Sequence, residues 1–372
     1  MAQTPVPNLL VADAARASDH VSGSAKATTN GRRGRGRREQ VAEVAQPAMT
    51  EYKLYGDLAI YSGTAHRDLA QGVANYLGVP LGGADVFQFA NTNTFVRLHQ
   101  SVRGKDVFLI QPTCPPVNDN LMELLIFIDT LRRDSAGRIT AVVPYYGYGR
   151  TDKKDQPRVP ITARLVADLI TTAGADRFLT LDLHAGQIQG FFTIPTDELP
   201  TIHIFEDYYK QQNLDPDHTV VVSPDVGGLR RARNLAARLD LPLAIIEKRR
   251  AHDGSATQMY SVIGNVAGKN VLIVDDEIDT AGTLTDAAKF LREAGARELH
   301  ACATHAILSK PAAKRLRNSE LTRIVITDTV PLAEKKLKRI GDRVTVLSVA
   351  PLVGDVIRRI HDGRSVGELF NE

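Results

Sequence analysis

The sequence has little cysteine and no long hydrophobic run. Its 372 residues include only Cys114 and Cys302, which lie far apart in the chain. Two separated cysteines cannot build a disulfide framework or a cysteine zinc site, so the sequence favours a reducing, cytoplasmic location. No apolar stretch approaches the roughly 18 residues of a membrane-spanning helix. We therefore expect a protein without disulfides and without a membrane partner.

The chain also lacks a surplus of positive charge outside its first fifty residues. Residues 51–372 contain 39 basic and 39 acidic residues, so the net charge of +3 resides in residues 1–50. A nucleic-acid-binding domain normally carries a basic surplus, and no nucleic acid is therefore expected on the folded part. The composition, 43% hydrophobic and 24% charged, is typical of a globular protein, and the length allows two domains.

Residues 1–50 are rich in Ala, Ser, Thr, Gly and Arg and contain few large apolar side chains. Such a segment cannot bury enough surface to offset the entropy lost on ordering, so we predict a disordered basic tail. Its most basic run, Gly31–Arg38 (GRRGRGRR), could contact RNA or an anionic surface, although the composition favours a solvated tail.

Short apolar runs alternate with amphipathic segments from Glu51 onward. Most of the runs are continuously apolar, which predicts strands buried on both faces of a parallel sheet. The predicted strands are Asp106–Gln111, Ile139–Tyr145, Phe178–His184, Thr219–Asp225, Leu243–Lys248, Asn270–Asp276, Glu298–His305, Arg323–Thr329 and Val344–Ala350. Helical periodicity lies between them, for example in Ile161–Ala173, Leu229–Leu239 and Leu284–Ala294. The alternation predicts a doubly wound α/β architecture made of two such units.

Polar side chains stand at the point where four of the predicted strands end. They are Asp182 and His184, then Asp225, then Lys248, and finally the pair Asp275 and Asp276. Ligands of open parallel sheets bind beyond the carboxyl ends of the strands, so we expect these residues to line one cleft. Their carboxylate, imidazole and ammonium groups suit phosphate, sugar or metal.

The segment Val274–Thr283, VDDEIDTAGT, carries the most specific signal. Its strand ends in two carboxylates, which can accept hydrogen bonds from neighbouring sugar hydroxyls. A helix is predicted to open within Thr280–Thr283, and backbone N–H groups at a helix start bind phosphate. Gly282 would let the backbone approach a ligand closely. A capped helix with Asp279 as N-cap would explain Asp279 and Gly282, but not two carboxylates at a buried strand end.

This segment resembles the phosphoribosyl-binding signature of type I phosphoribosyltransferases. Further segments narrow the resemblance to the ribose-phosphate pyrophosphokinase family. They are SVRGKDVFLIQ (Ser101–Gln111), NDNLMELLI (Asn118–Ile126), PYYGYGRTD (Pro144–Asp152), LDLHAGQIQGFF (Leu181–Phe192), SPDVGG (Ser223–Gly228) and EKRR (Glu247–Arg250). They occur in the family's order and spacing, and the resemblance extends from about Tyr52 to the closing SVGELF.

The resemblance implies two doubly wound parallel-sheet domains of the type I phosphoribosyltransferase fold, preceded by the tail. Residues 51–200 would form the N-terminal α/β domain on the ATP side. Residues 201–372 would form the C-terminal α/β domain on the ribose 5-phosphate side, and the last residues could pack back on the first domain. The implied activity is transfer of the β,γ-diphosphate of ATP to the anomeric hydroxyl of ribose 5-phosphate. It implies Mg²⁺ as cofactor and a homo-oligomer, a hexamer, as the assembly.

The resemblance also assigns residues to roles. Lys248 and Arg250 match the catalytic lysine and arginine at the root of a mobile loop, here Ala251–Tyr260. His184 and Asp225 match metal-binding positions. The residues expected to bind ribose 5-phosphate are Asp275, Asp276, Asp279, Thr280, Ala281, Gly282 and Thr283. Those expected to bind ATP are Phe89, Asn91, Thr92 and Asn93 in an adenine-recognition turn, and Arg150 and Thr151 near the phosphates.

The sequence departs from the family pattern at three points. Thr92-Asn93 stands where an acidic pair is common, Thr151 where glutamine is usual, and Val226 where a histidine is frequent. These differences bear on base selectivity and ATP affinity and leave the catalytic residues intact. Two alternatives stay open. A phosphoribosyltransferase would consume phosphoribosyl pyrophosphate instead of making it, and it would not need a second α/β unit. A regulatory paralogue would bind the active enzyme without catalysing the reaction.

Overall fold

The computed structural model describes residues 55–250 and 258–369, without the side chains of residues 248–250 and 258–260. The predicted tail, residues 1–50, lies outside this range, as do residues 251–257 of the predicted loop. The side chains of the predicted catalytic residues Lys248 and Arg250 also lie outside it.

The strands of the first half are β1 (Leu58–Ser62), β2 (Ala84–Gln88), β3 (Thr94–Leu98), β4 (Asp106–Ile110), β5 (Arg138–Val143), β6 (Arg177–Leu181) and β7 (Thr196–Leu199). The helices there are α1 (Arg67–Leu77), α2 (Val117–Arg133) and α3 (Thr162–Ala173). The strands of the second half are β8 (Thr219–Ser223), β9 (Leu243–Arg250), β10 (Gln258–Ile263), β11 (Asn270–Glu277), β12 (Leu299–His305), β13 (Arg323–Thr327) and β14 (Val344–Leu347). Its helices are α4 (Ile202–Lys210), α5 (Leu229–Leu239), α6 (Gly282–Glu293), α7 (Ala312–Arg317), α8 (Glu334–Ile340) and α9 (Ala350–His361).

The first sheet is parallel throughout, in the order β1-β4-β5-β6-β7. Its central strands are runs such as DVFLI in β4, in which every residue is buried. Helices α2 and α3 cover one face, where Phe127 and Ile170 join the core. Helices α1 and α9 cover the other face, where Val73 and Ile357 pack on the strands. Because both faces are covered, the strands can be apolar without the alternation of a half-exposed strand.

The second sheet has the order β10-β9-β8-β11-β12-β13-β14 and is parallel except for β10, which pairs antiparallel with β9. Helices α6, α7 and α8 cover one face, and α4 and α5 cover the other. Two parallel sheets with helices on both faces confirm the predicted doubly wound α/β architecture. No helix within residues 55–250 and 258–369 is both long and apolar enough to span a membrane.

Several predicted boundaries were wrong, each for a local reason. The predicted strand Phe178–His184 stops at Leu181, because Asp182 adopts a left-handed backbone conformation with φ of 34°. The predicted strand Val344–Ala350 stops at Leu347, and Ala350 begins α9. Residues 258–260 of the predicted mobile loop belong to β10, since they pair with β9. The sequence reading missed β1, β7 and the hairpin of β2 and β3, which are short or partly exposed.

Candidate functional site

The carboxyl ends of the two sheets face each other across a cleft of about 270 Å³. The segments that follow β5 and β6 form one wall, and the ends of β11 and β12 with their following segments form the other. The polar residues that line the cleft are Tyr145, Tyr146, Tyr148, Arg150, Asp182, His184, Asp276, Glu277, Asp279, His305 and Ser309. This position, beyond the carboxyl ends of parallel strands, is where open α/β sheets bind ligands.

His184 and Asp276 join the two walls directly. Nδ1 of His184 donates to Oδ2 of Asp276 over 2.8 Å, and Nη1 of Arg231 lies 3.8 Å from the other carboxylate oxygen. Burial opposes the charge on Asp276, but the hydrogen bond from His184 and the charge of Arg231 hold its pKa far below the ordinary value. The same hydrogen bond raises the pKa of His184. The contact leaves Nε2 of His184 as the ring nitrogen that can meet a ligand.

Asp275 differs from its neighbour in acidity. Burial and the adjacent negative charge of Asp276 raise the pKa of Asp275 well above the ordinary value. Its Oδ1 accepts the backbone N–H of Asp276 over 2.9 Å. Asp276 is therefore the more acidic member of the pair, and the two carboxyl groups can play different roles toward a hydroxyl group.

A second contact across the cleft joins Arg150 to two carboxylates. Nη2 of Arg150 forms an ion pair with Oε1 of Glu277, and its Nη1 donates to Oδ2 of Asp279 over 3.3 Å. The hydroxyl of Tyr145 donates to Oε2 of Glu277 over 3.4 Å. Burial raises the pKa of Glu277, and the charge of Arg150 acts against that shift. Arg150, which was predicted to bind ATP, thus contacts the segment Asp275–Thr283, which was predicted to bind ribose 5-phosphate.

The turn after β11 exposes backbone and hydroxyl groups at the start of α6. The helix begins at Gly282, and Ala281 precedes it with a left-handed φ of 60° and no side-chain cap. The alternative that made Asp279 the N-cap is therefore wrong, because the chain turns at Ala281 instead. Thr280 and Thr283 are exposed. Nη1 of Arg315 donates to the carbonyl of Thr280 over 3.0 Å, which brings a guanidinium group to this turn.

Some predicted site residues do not line this cleft. Asp225 is exposed after β8, and its Oδ1 accepts the backbone N–H of Gly228 over 2.8 Å. The turn between β2 and β3 carries Phe89, Asn91, Thr92 and Asn93, all exposed. Phe89 is 50% exposed, and its ring centroid lies within 5.5 Å of the ring centroids of Phe87 and Phe95. Thr151 is half-buried beside Arg150, and its N–H donates to the carbonyl of Tyr148.

A hydrogen-bond network around Asp182 connects the two sheets next to the cleft. Oδ2 of Asp182 accepts from the hydroxyl of Thr304 over 2.6 Å and from Thr201. Nε2 of His305 lies 3.1 Å from the backbone carbonyl of Asp182. A carbonyl can only accept, so Nε2 carries the proton. Burial lowers the pKa of His305, which keeps the ring neutral. The network links β12 to Asp182, which follows β6 and lies two residues before His184.

The sequence reading missed several residues of the site. They are Tyr145, Glu277, Arg231, His305 and Arg315. Glu277 carries the clearest missed signal, since it is the third carboxylate in the run Asp275–Glu277 at one strand end. His305 also stands at a strand end, and Tyr145 lies two residues after the end of β5. Arg231 and Arg315 lie on helices, α5 and α7, and only the tertiary fold brings them to the site.

The fold and the cleft define the class. This is a doubly wound α/β protein whose cleft, between the carboxyl ends of two parallel sheets, suits phosphorylated ligands. A model of the N-terminal domain of ribose phosphate pyrophosphokinase matches residues 58–174, and a model of the phosphoribosyl synthetase-associated domain matches residues 254–371. The chain belongs to the ribose-phosphate pyrophosphokinase family, which confirms the resemblance found in the sequence.

Two bacterial relatives match over nearly their whole length. A ribose-phosphate pyrophosphokinase of Caldanaerobacter subterraneus is 52% identical over 313 residues, which are 84% of this chain and 98% of the relative. That of Clostridium acetobutylicum is 49% identical, over 85% of this chain and 98% of the relative. The crystal structure of phosphoribosylpyrophosphate synthetase from Mycobacterium smegmatis superposes with a TM-score of 0.78 at 43% identity. It covers 83% of this chain and 100% of that chain.

Proposed function

We propose that the protein is a ribose-phosphate diphosphokinase that makes phosphoribosyl pyrophosphate and AMP from ribose 5-phosphate and ATP, for nucleotide biosynthesis. The observation that carries the proposal is a sequence identity of about 50% to two relatives named ribose-phosphate pyrophosphokinase. The match covers 98% of the length of each relative. We further propose that it works in the cytoplasm as a homo-oligomer. A phosphoribosyltransferase is disfavoured, because the match spans both halves of the chain.

Ribose 5-phosphate is proposed to lie along the segment from Asp275 to Thr283. Asp275 and Asp276 would accept hydrogen bonds from the sugar hydroxyls. The 5-phosphate would meet the backbone N–H groups at the start of α6 and the exposed hydroxyls of Thr280 and Thr283. A helix start with no side-chain cap leaves its N–H groups available for such an anion.

ATP is proposed to bind between the β2–β3 turn and the segment after β5. The ring of Phe89 would stack on adenine, and Asn91, Thr92 and Asn93 would meet the base edge. Arg150 would hold the phosphates, with Thr151 beside it. Asn93 has an amide that can both donate and accept, so it would discriminate less between adenine and guanine than a carboxylate.

The proposed reaction is a displacement at the β-phosphorus of ATP. The anomeric oxygen of ribose 5-phosphate forms a bond to that phosphorus and releases its proton to solvent. The bond between the phosphorus and the oxygen bridging to the α-phosphate breaks, and AMP leaves with that electron pair. Lys248 and Arg250 are proposed to stabilise the charge on the transferring group, which is the main work of a protein in phosphoryl chemistry.

Mg²⁺ is proposed as the cofactor, with His184 and Asp225 as protein ligands. Among the residues that the structure describes, no group of three or more acidic, histidine or cysteine side chains is arranged to hold a metal. Mg²⁺ is usually held by one or two protein ligands, waters and substrate phosphates, so two protein ligands would be sufficient. Asp276 holds Nδ1 of His184 and so orients Nε2. The ion would neutralise phosphate charge.

The test is mass spectrometry of products after incubation with Mg²⁺, ATP and ribose 5-phosphate. We expect AMP and phosphoribosyl pyrophosphate in equal amounts, and neither product without ribose 5-phosphate or with excess EDTA. Phosphoribosyl pyrophosphate consumed on addition of a purine or pyrimidine base, without AMP formed from ATP, would indicate a phosphoribosyltransferase. Absence of both activities, with activation of a catalytic relative on mixing, would indicate a regulatory paralogue.

A further inference from the structure

Glu277 is a buried carboxylate in the cleft to which the proposed mechanism gives no role. It is the last residue of β11, and its side chain is only 7% exposed. One carboxylate oxygen accepts from Tyr145 over 3.4 Å, and the other forms the ion pair with Nη2 of Arg150. Both partners come from the segment after β5, in the opposite sheet.

The two carboxylates that contact Arg150 differ in how readily they can release it. The Glu277 side chain is only 7% exposed, so breaking its contact with Arg150 would leave a buried carboxylate without its cationic partner, which is costly. Asp279 has a 30% exposed side chain and a longer contact, 3.3 Å, and water can replace Arg150 there. Glu277 is therefore the lasting anchor of the guanidinium group, and Asp279 is the exchangeable partner.

The anchored guanidinium group still has donors to spare. Arginine carries five N–H donors in a planar fork, and the side chain of Arg150 is 54% exposed despite its two contacts. Because Glu277 holds Nη2, the planar guanidinium group is oriented before a ligand binds, and so are its remaining N–H donors. A phosphate oxygen that replaced Asp279 would meet a donor already in place and would leave Asp279 free on the ribose-phosphate side.

We propose that Glu277, supported by Tyr145, is a positioning residue that holds the guanidinium group of Arg150 in the orientation that binds the phosphates of ATP. The proposal rests on the proposed function, in which Arg150 meets those phosphates. It adds that the ribose-phosphate sheet supplies the anchor for a nucleotide contact made by the other sheet.

The test compares Glu277→Gln and Glu277→Leu in steady-state kinetics and in equilibrium binding of a non-hydrolysable ATP analogue. Glutamine keeps an acceptor without the charge, whereas leucine keeps neither. We expect the KM for ATP and the analogue Kd to rise about tenfold in Glu277→Leu and by a smaller factor in Glu277→Gln. The KM for ribose 5-phosphate should stay within about twofold. If the leucine variant does not fold, the isosteric glutamine variant decides.

The double variant shows whether Glu277 acts through Arg150. In the Arg150→Ala background, Glu277→Leu should change the analogue Kd by less than about twofold, because nothing remains to be positioned. Glu206→Gln is the matched control, since Glu206 is another largely buried glutamate paired with an arginine, Arg238, on helices away from the strand ends. It should leave the ATP parameters unchanged.

Two results would overturn the proposal. One is an equal effect of Glu277→Leu with and without Arg150, and the other is a rise in the KM for ribose 5-phosphate as large as that for ATP. Failure of the proposed function would look different, because the wild-type protein would then make no AMP from ATP and ribose 5-phosphate. Binding of the analogue would still report on Glu277 and Arg150 in that case.

Discussion

Nδ1 of His184 lies 2.8 Å from Oδ2 of Asp276, although the two residues belong to different sheets. His184 follows β6 of the first sheet, and Asp276 stands near the end of β11 in the second. The hydrogen bond fixes the direction of the imidazole ring across the cleft. Any ligand held by Nε2 of His184 therefore depends on a carboxylate that it need not touch.

We predict that Asp276→Asn raises the Mg²⁺ concentration needed for half-maximal activity by about tenfold. Partners that orient a metal-binding histidine typically contribute a factor of about 10 to 100 to metal affinity or activity. The measurement is initial rate against free Mg²⁺ at saturating substrates. Asp275→Asn is the control, because Asp275 makes no contact with His184, and an equal shift in both variants would argue against the role of His184.

Lys248→Ala is predicted to lower turnover by about a hundredfold or more and to leave the fold intact. A cation directed at charge that develops on a transferring phosphoryl group contributes about 3 kcal/mol to the transition state. Turnover is followed by release of AMP, and folding by circular dichroism. Lys289→Ala, an exposed lysine on α6, should retain full turnover. Near-normal turnover of the Lys248 variant would remove Lys248 from the catalytic residues.

The neutral, buried His305 predicts a stability that depends on pH. Burial lowers the pKa of His305 in the folded state, whereas the unfolded chain binds the proton below about pH 6.5. The unfolded state thus takes up more protons as the pH falls, and stability declines by at most about 1.4 kcal/mol per pH unit from this group. The melting temperature between pH 7.5 and 5.5 should fall further in wild type than in His305→Gln. Parallel curves for the two proteins would contradict the assignment.

Asp106 is predicted to be a major stabilising residue outside the cleft. Its buried carboxylate accepts from Nε and Nη2 of Arg138 over 2.8 and 2.6 Å, and from Nδ1 of His361 over 2.8 Å. Breaking a buried pair of this kind costs about 3 kcal/mol. We expect Asp106→Asn to lower the free energy of unfolding by that amount in urea titration. Asp129→Asn is the control, because Asp129 forms an exposed pair with Arg133, and it should unfold like wild type. If Asp106→Asn also unfolds like wild type, the contacts of Asp106 with Arg138 and His361 do not stabilise the fold.

The sequence predicted those parts of the fold and site that depend on local order along the chain. Continuous apolar runs marked β4, β5, β8 and β11, because burial on both faces selects such runs regardless of the tertiary detail. The same reading placed His184 within a strand, since a backbone turn at Asp182 leaves no mark in hydrophobicity.

Contacts between the sheets were beyond the sequence reading. The pairing of Arg150 with Glu277 joins residues 127 positions apart and depends on how the two sheets face each other. Arg231 and Arg315 reach the site from helices whose orientation the sequence does not report. The roles given to Asp225 and to the turn from Phe89 to Asn93 stay predictions, as do the domain boundary near residue 200 and the roles of Lys248 and Arg250.

Helix α9 packs against one face of the first sheet, although it is the last α-helix described. Val353 and Ile357 pack on the same face as Ile60, Phe108 and Val142, which belong to β1, β4 and β5. A ribosome releases the N-terminal strands first. Helix α1 can cover its part of that apolar face early, but the part that packs against α9 stays exposed until residues 350–361 have been synthesised. A nascent chain halted before residue 350 would expose this apolar surface, so it should bind chaperones more strongly than a chain that includes α9.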